Sequence, residues 1–477
     1  MFGFSRRQQT TLHLTWFAFF LTFVAWFNMA PFNTTLIKTL GFTQAQIDLL
    51  MICNLALAIP ARIFIGGLSD YYGPRIVFSG LLVYAALVCV AFGLSQTFEQ
   101  VLATRLLMGI VGGGFVVGTK MISDHFPDNR MGLAQGIYAG WGNFGAAAAA
   151  FSLPAIAWAF PEETGWRVAS FILGGVCLLS AVAYWHYAED TNGLLKGHLS
   201  FNGFAIEVGS RRDFILQALT LSAILGGMVL IVYKLTYAEY PLLSPRGGWI
   251  ASAVLFGLYA WNIRSIYNLN KGRFSNGGGE YDYAFSQALI LSLVYALTFG
   301  AGLAIISIFP EFLQITFGLS VVAAGIFGST HSVLNLISRP GGGWISDQWG
   351  RRKTLIGVVF GAFVSLLVMS QISSEWSLIA SVMVGMLAGL FLQAGNGACF
   401  AIVPRVRKEL TGKLAGLVGA YGNLGGIIFL TVYSLTDTEG LFLSMAGFAL
   451  AVLVSLFFLK SEERLSADKA LAETVQH

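Results

Sequence analysis

Long apolar runs separated by short polar clusters dominate the chain. Fourteen occur, at residues 15–36, 47–68, 76–95, 100–122, 133–158, 168–187, 214–233, 247–266, 284–309, 320–345, 354–372, 376–402, 413–434 and 440–459. Each approaches the roughly 20 apolar residues a helix needs to cross a hydrocarbon core about 30 Å thick. Lipid offers no partner to a free backbone N–H or C=O, so these runs are predicted to be helices rather than open strands. The pattern predicts an all-α polytopic membrane protein with fourteen spans.

Composition agrees, with 56% hydrophobic and only 11% charged residues, against about 25% charged in ordinary soluble domains. The placement of Lys and Arg is more telling than the net charge of +4. With loops counted alternately in and out, 20 of the 28 basic residues fall on one side and 4 on the other, and Arg62, Arg105, Lys120 and Arg339 lie inside the runs. The basic side is expected to be cytoplasmic, with both termini on it. Arg6-Arg7 precedes the first run without a small-residue cleavage site, so that run is expected to be a retained helix. Cys53, Cys89, Cys177 and Cys399 all lie within apolar runs and have neither metal-ligand nor disulfide spacing, so they are expected to be small core residues.

The chain repeats itself. Arg62, Gly66, Ser69, Asp70, Gly73 and Arg75 recur as Arg339, Gly343, Ser346, Asp347, Gly350 and Arg352 at a constant offset of 277. Gly136, Gly142, Asn143 and Gly145 recur as Gly416, Gly422, Asn423 and Gly425 at an offset of 280. Two six-helix halves are expected, at 1–195 and 281–460, related by a pseudo-two-fold axis. Between them, residues 196–280 carry the runs 214–233 and 247–266, read as an extra lipid-facing hairpin, with Asn276–Glu280 as a flexible connector. A cytoplasmic tail follows at 461–477.

Arg62 and Arg339 each stand eight residues before the loop aspartate, about 12 Å into the membrane. An arginine at that depth is expensive and normally faces a carboxylate or a watery cavity. No Asp or Glu lies mid-run: Asp48, Asp70, Asp124, Glu311 and Asp347 are all at the ends. Two symmetric, unpaired guanidiniums are therefore expected to share an anion, and the planar fork of each suits a small planar oxyanion. Asn143 and Asn423 add neutral amide donors, since a buried amide must find partners. Packing alone explains the accompanying glycines. Asp70 and Asp347 are expected to accept from a neighbouring helix N-terminus or from an arginine, forming a latch that opens during rocking.

The Gly-x-x-x-Asp-x-x-Gly-x-Arg loops ending in Arg75 and Arg352 resemble those of the major facilitator superfamily, a resemblance covering nearly the whole chain. Ala139-Gly-Trp-Gly-Asn143-Phe-Gly145, echoed by Tyr421-Gly-Asn423-Leu-Gly-Gly426, is similar to the signature of its nitrate/nitrite porter family. The resemblance implies the superfamily fold with two added central helices, a nitrate sandwiched between Arg62 and Arg339, and a pocket lined by Tyr295, Phe299 and Phe115, with Tyr295 donating a hydrogen bond. It further implies a monomer. Arg105, opening Arg-x-x-x-Gly109, resembles a superfamily motif tied to packing or coupling, and packing is the expected role. Lys120, one turn from Asp124, is expected to snorkel. His331 is a candidate proton carrier, although a satisfied core histidine is the commoner case.

The expected function is secondary transport of nitrate or nitrite by alternating access, with protons as a candidate coupling ion. The rival readings are a porter of the same fold for formate, bicarbonate or a small organic acid, and a membrane sensor that binds nitrate. No nucleophile with its base, metal cluster or phosphate loop is present, so neither an enzyme nor a cofactor is expected, and nothing points to nucleic acid.

Overall fold

The computed structural model describes residues 4–190, 205–237, 241–272, 283–319 and 333–460, with 323, 324, 327 and 330. Each apolar run is helical there: α1 (Arg6–Trp26), α2 (Gln44–Tyr72), α3 (Pro74–Leu94), α4 (Phe98–His125), α5 (Met131–Ala157), α6 (Glu162–Tyr187), α7 (Arg211–Tyr237), α8 (Pro245–Asn270), α9 (Phe285–Phe317), α10 (Asn335–Trp349), α11 (Arg351–Met369), α12 (Leu378–Phe400), α13 (Thr411–Leu435) and α14 (Thr438–Leu456). Much of the run before Asn335, the side chain of Asp48, His331, the connector 276–280 and the tail 461–477 lie outside the described residues.

Among the described residues, eleven helical stretches are long and apolar enough to cross a membrane. The other three are α5, α8 and α10. Helix α5 has ample length at 27 residues, but its Gly, Gln and Asn lower its hydropathy. Those residues serve close packing instead. Helix α5 lies along α10, and α13 lies along α2, so each glycine-striped helix packs on an arginine-bearing helix of the other half. A Cβ on Gly136 would stand 2.5 Å from the Arg339 carbonyl oxygen, and one on Gly416 would stand 2.5 Å from that of Arg62. Any larger residue would push the helices apart just where the arginines depart.

The repeated loops close one end of this interface. Asp70 accepts from the backbone N–H of Gly412 and Lys413, both at 2.7 Å, at the start of α13. Asp347 accepts from Gly132 at 3.1 Å and Leu133 at 2.9 Å at the start of α5. Each carboxylate thus caps the positive end of a helix in the opposite half. Arg351 adds a bond to Asp347 at 3.0 Å and a second to the Asp128 carbonyl. Gly73 and Gly350 turn the chain at φ of 92° and 95°, a region that favours glycine. Arg75 then donates to the Trp185 carbonyl at 2.7 Å, and Arg352 to those of Leu456 and Phe457 at 3.2 and 2.7 Å. These bonds satisfy the free carbonyls at the ends of α6 and α14.

The two inserted helices differ. Much of α8 faces outward, with Trp249, Ile250 and Trp261 more than half exposed, whereas α7 lies against α9 and α13. Tyr421 donates to the Thr220 carbonyl at 2.9 Å, and Tyr259 of α8 donates to the Ala218 carbonyl at 3.1 Å. Ahead of α7, residues 205–208 are buried, and Glu207 meets Lys413 at 2.8 Å with both side chains enclosed. The hairpin therefore faces outward along much of α8 and along the Ile215, Leu219 and Tyr233 face of α7, while the opposite face of α7 is packed against the second half.

Glu207→Ala would leave Lys413 buried without its partner, which typically costs about 3–5 kcal/mol. The expected result is a clear fall in thermal unfolding midpoint in detergent, partly reversed by adding Lys413→Met. An unchanged midpoint would show that the pair contributes nothing.

Candidate functional site

Arg62 and Arg339 are 1% and 2% exposed. Both extend from the helix faces that pack across the halves, and both reach the ring of Phe299 on α9. The guanidinium carbons lie 5.3 Å (Arg62) and 5.7 Å (Arg339) from its centroid. The two cations are therefore no farther apart than the sum of those distances. Arg62 donates through Nε to the Gly112 carbonyl at 3.3 Å and through Nη1 to the Gly419 carbonyl at 2.6 Å. Arg339 donates through Nε to Asn335 Oδ1 at 2.9 Å and Gln393 Oε1 at 3.1 Å. These acceptors are all neutral oxygens. Each arginine keeps its full charge inside a core where an unpaired charge is costly.

An aromatic wall backs the pair. Phe115, Tyr295 and Phe299 form a continuous stack, with centroids 6.0 and 5.0 Å apart and ring planes within 10° of parallel. Phe400 stands edge-on to Phe115 at 4.5 Å and to Tyr295 at 4.8 Å. The Phe115 ring lies 5.6 Å from the Arg62 guanidinium carbon. The Tyr295 hydroxyl is hydrogen-bonded to the Arg339 guanidinium. Fixed cations and rigid rings together suit a small, flat anion: the forks bind its oxygens, and the ring edges, which carry partial positive charge, tolerate it.

The two asparagines are not equivalent. Asn423 is 3% exposed, and neither amide atom has a partner among the described residues. Asn143 is half-buried and donates to the Ala139 carbonyl one turn back at 2.7 Å. Arg105 stands apart from the pair, stacked 4.2 Å over Phe92 and bonded to Asn28 Oδ1 at 2.8 Å. Lys120 is buried and pairs with Asp124 at 2.8 Å, so it is held within the protein rather than extended to solvent. All four cysteines are buried and free. Sequence reasoning missed Phe400, Gln393 and Asn335. Phe400 is one of 39 phenylalanines and carries no repeat signal, whereas Asn335 stands one turn before Arg339 and was open to inspection.

Comparison with known proteins places this geometry in context. The family model for the Major Facilitator Superfamily matches residues 15–263 and 291–476. The chain is 42% identical to the nitrate/nitrite transporter NrtP of Nostoc punctiforme over 96% of its own length and 94% of that protein's. It is 40% identical to NrtP of a Picosynechococcus strain, covering 91% and 86%. It is 27% identical to high-affinity nitrate transporter 2.3 of Oryza sativa subsp. japonica, covering 90% and 72%. Among solved structures, the proton:xylose symporter XylE superposes with a TM-score of 0.63 at 14% identity, covering 96% and 98%. The human organic anion transporter MFSD10 gives 0.64 at 15% identity, covering 95% and 100%. These two share the fold.

A buried amide without a partner is a liability of about 1–3 kcal/mol. Asn423→Leu is therefore expected to raise the unfolding midpoint of the ligand-free protein. A lower midpoint would mean that the amide is already satisfied without a ligand.

Proposed function

Since the chain belongs to the nitrate/nitrite porter family of the major facilitator superfamily, we propose that it carries nitrate, nitrite or both across the cytoplasmic membrane by alternating access. The observation that carries this reading is the pair of buried guanidiniums beside one aromatic ring, bonded among the described residues to neutral oxygens. The anion binds between Arg62 and Arg339, with Tyr295 donating to it and Phe299 and Phe115 bounding it. Asn423 supplies the unpartnered amide, and Asn143 joins it when its bond to its own helix is released.

The halves 1–195 and 281–460 rock about that anion. Two like charges drawn together without it repel, which raises the barrier to moving empty and favours movement of the loaded carrier. The basic end, carrying both termini, faces the cytoplasm. There Asp70 and Asp347 lock the halves by four charge-assisted bonds to helix N-termini, each about 1.5–3 kcal/mol. This conformation is accordingly closed to the cytoplasm, and opening inward releases both carboxylates together. The protein acts as a monomer.

The relatives' names favour nitrate and nitrite over formate, bicarbonate or an organic acid, and the paired latches favour a moving carrier over a static sensor. Coupling to protons, with His331 as the carrier, and exchange of nitrate for nitrite are the two driving modes.

Reconstituted native protein is expected to take up nitrate, whereas Arg62→Ala and Arg339→Ala remain folded and inactive. Lysine at either position keeps the charge but loses the fork, and is expected to lower uptake by about tenfold or more. Normal uptake by either alanine variant would remove the paired-arginine site from the account. Symport predicts external alkalinisation accompanying each nitrate pulse, whereas exchange predicts pH-indifferent uptake that requires nitrite inside the vesicle.

A further inference from the structure

The surroundings of Arg339 differ from those of Arg62 in one chemical respect. Arg62 is held by backbone carbonyls, while Arg339 is held by amide side chains. Gln393, on α12, accepts from Arg339 Nε at 3.1 Å and from Asn396 Nδ2 at 2.9 Å through the same oxygen. Asn396 in turn accepts from the Thr298 hydroxyl at 2.7 Å. All three residues are at most 3% exposed.

The direction of this chain is forced. A guanidinium only donates, so Gln393 must turn its oxygen towards Arg339. Asn396 must then offer its NH2 to that oxygen, which turns its own oxygen to Thr298, whose single hydroxyl proton is shared between that oxygen and the Val294 carbonyl at 2.9 Å. One cation therefore orients polar groups on α10, α12 and α9, and the last link lies beside Phe299. At the repeat offsets the first half has Gly113 to Val116 in place of Gln393, so this arrangement belongs to the second half alone.

We propose that Gln393 is a positioning residue for the anion, fixing the Arg339 guanidinium while its neutrality reserves that charge for the transported ion. The inference rests on the anion-transport reading above. A carboxylate differs from this amide by a single atom and is the usual partner of a buried arginine. Glutamate at 393 would satisfy Arg339 from within, and the bound anion would lose half of its cationic partnership. With the Nε–H bound to Gln393 and Asn335, the guanidinium presents its outer N–H groups to the ligand in a fixed orientation.

Native protein, Gln393→Glu and Gln393→Met are to be compared by nitrate-dependent thermal shift and by unfolding midpoint without nitrate. Gln393→Glu is expected to weaken nitrate binding by about tenfold or more, while unfolding at or above the native midpoint, because it supplies an internal counter-ion. Gln393→Met is expected to unfold below the native midpoint with a smaller loss of affinity. A purely structural role predicts that affinity and midpoint fall together in both variants. That outcome would overturn the proposal, as would binding within about twofold of native by Gln393→Glu. If the native protein ignores nitrate, nitrite, formate and bicarbonate alike, the transport reading fails instead. The order of ligand-free midpoints then decides the counter-ion argument: Gln393→Glu at or above native supports it, and Gln393→Glu below native overturns it.

Discussion

Two buried positive charges with no carboxylate partner among the described residues constrain the centre of this protein. An arginine at bilayer depth costs from roughly 2.5 to more than 10 kcal/mol, and bringing a second within reach of the same ring adds repulsion. The fold meets that cost with oriented dipoles. Carbonyl oxygens of Gly112 and Gly419 face Arg62, and amide oxygens of Asn335 and Gln393 face Arg339. Dipoles reduce the penalty without cancelling the charge. What remains is a net positive centre. The glycines of α13 belong to the same solution, because close helix approach brings the opposite-half Gly419 carbonyl to Arg62.

The two arginines differ in how they are held. Arg62, on α2, reaches across to the Gly419 carbonyl on α13, so its own hydrogen bond spans the two halves. Arg339 is bonded within its own half, through α10, α12 and α9. One guanidinium is tethered across the halves and the other within one of them, so the repeat in sequence does not make the two arginines alike in their attachments.

Much of this was legible from sequence because repetition amplifies weak signals. A lone Arg62 or Asp70 means little, but a second copy at fixed offset marked both the central charges and the latch aspartates, and the observed bonds follow those pairs. Signals without a second copy were lost. Gln393 sits in an apolar run with no counterpart in the first half, and Glu207 lies in a linker whose composition gave no hint of burial. The asparagines show the reverse error. Repetition suggested equal roles for Asn143 and Asn423, yet one bonds to its own helix and the other has no partner among the described residues.

The inserted helices gain meaning from where they attach. Helix α7 reaches α13 through Thr220 and Tyr421, and the segment before it reaches the start of α13 through Glu207 and Lys413. Helix α13 also provides Gly419, Asn423 and the N–H groups that hold Asp70. A single helix thus joins the insert, the latch and the surroundings of Arg62. Lys413 explains why the attachment lies where it does: its backbone N–H serves the Asp70 latch while its ammonium group is buried at the same end. Glu207 pairs with that ammonium at 2.8 Å. The insert thereby reaches one latch, whereas Asp347 of the other is paired with Arg351 of its own loop.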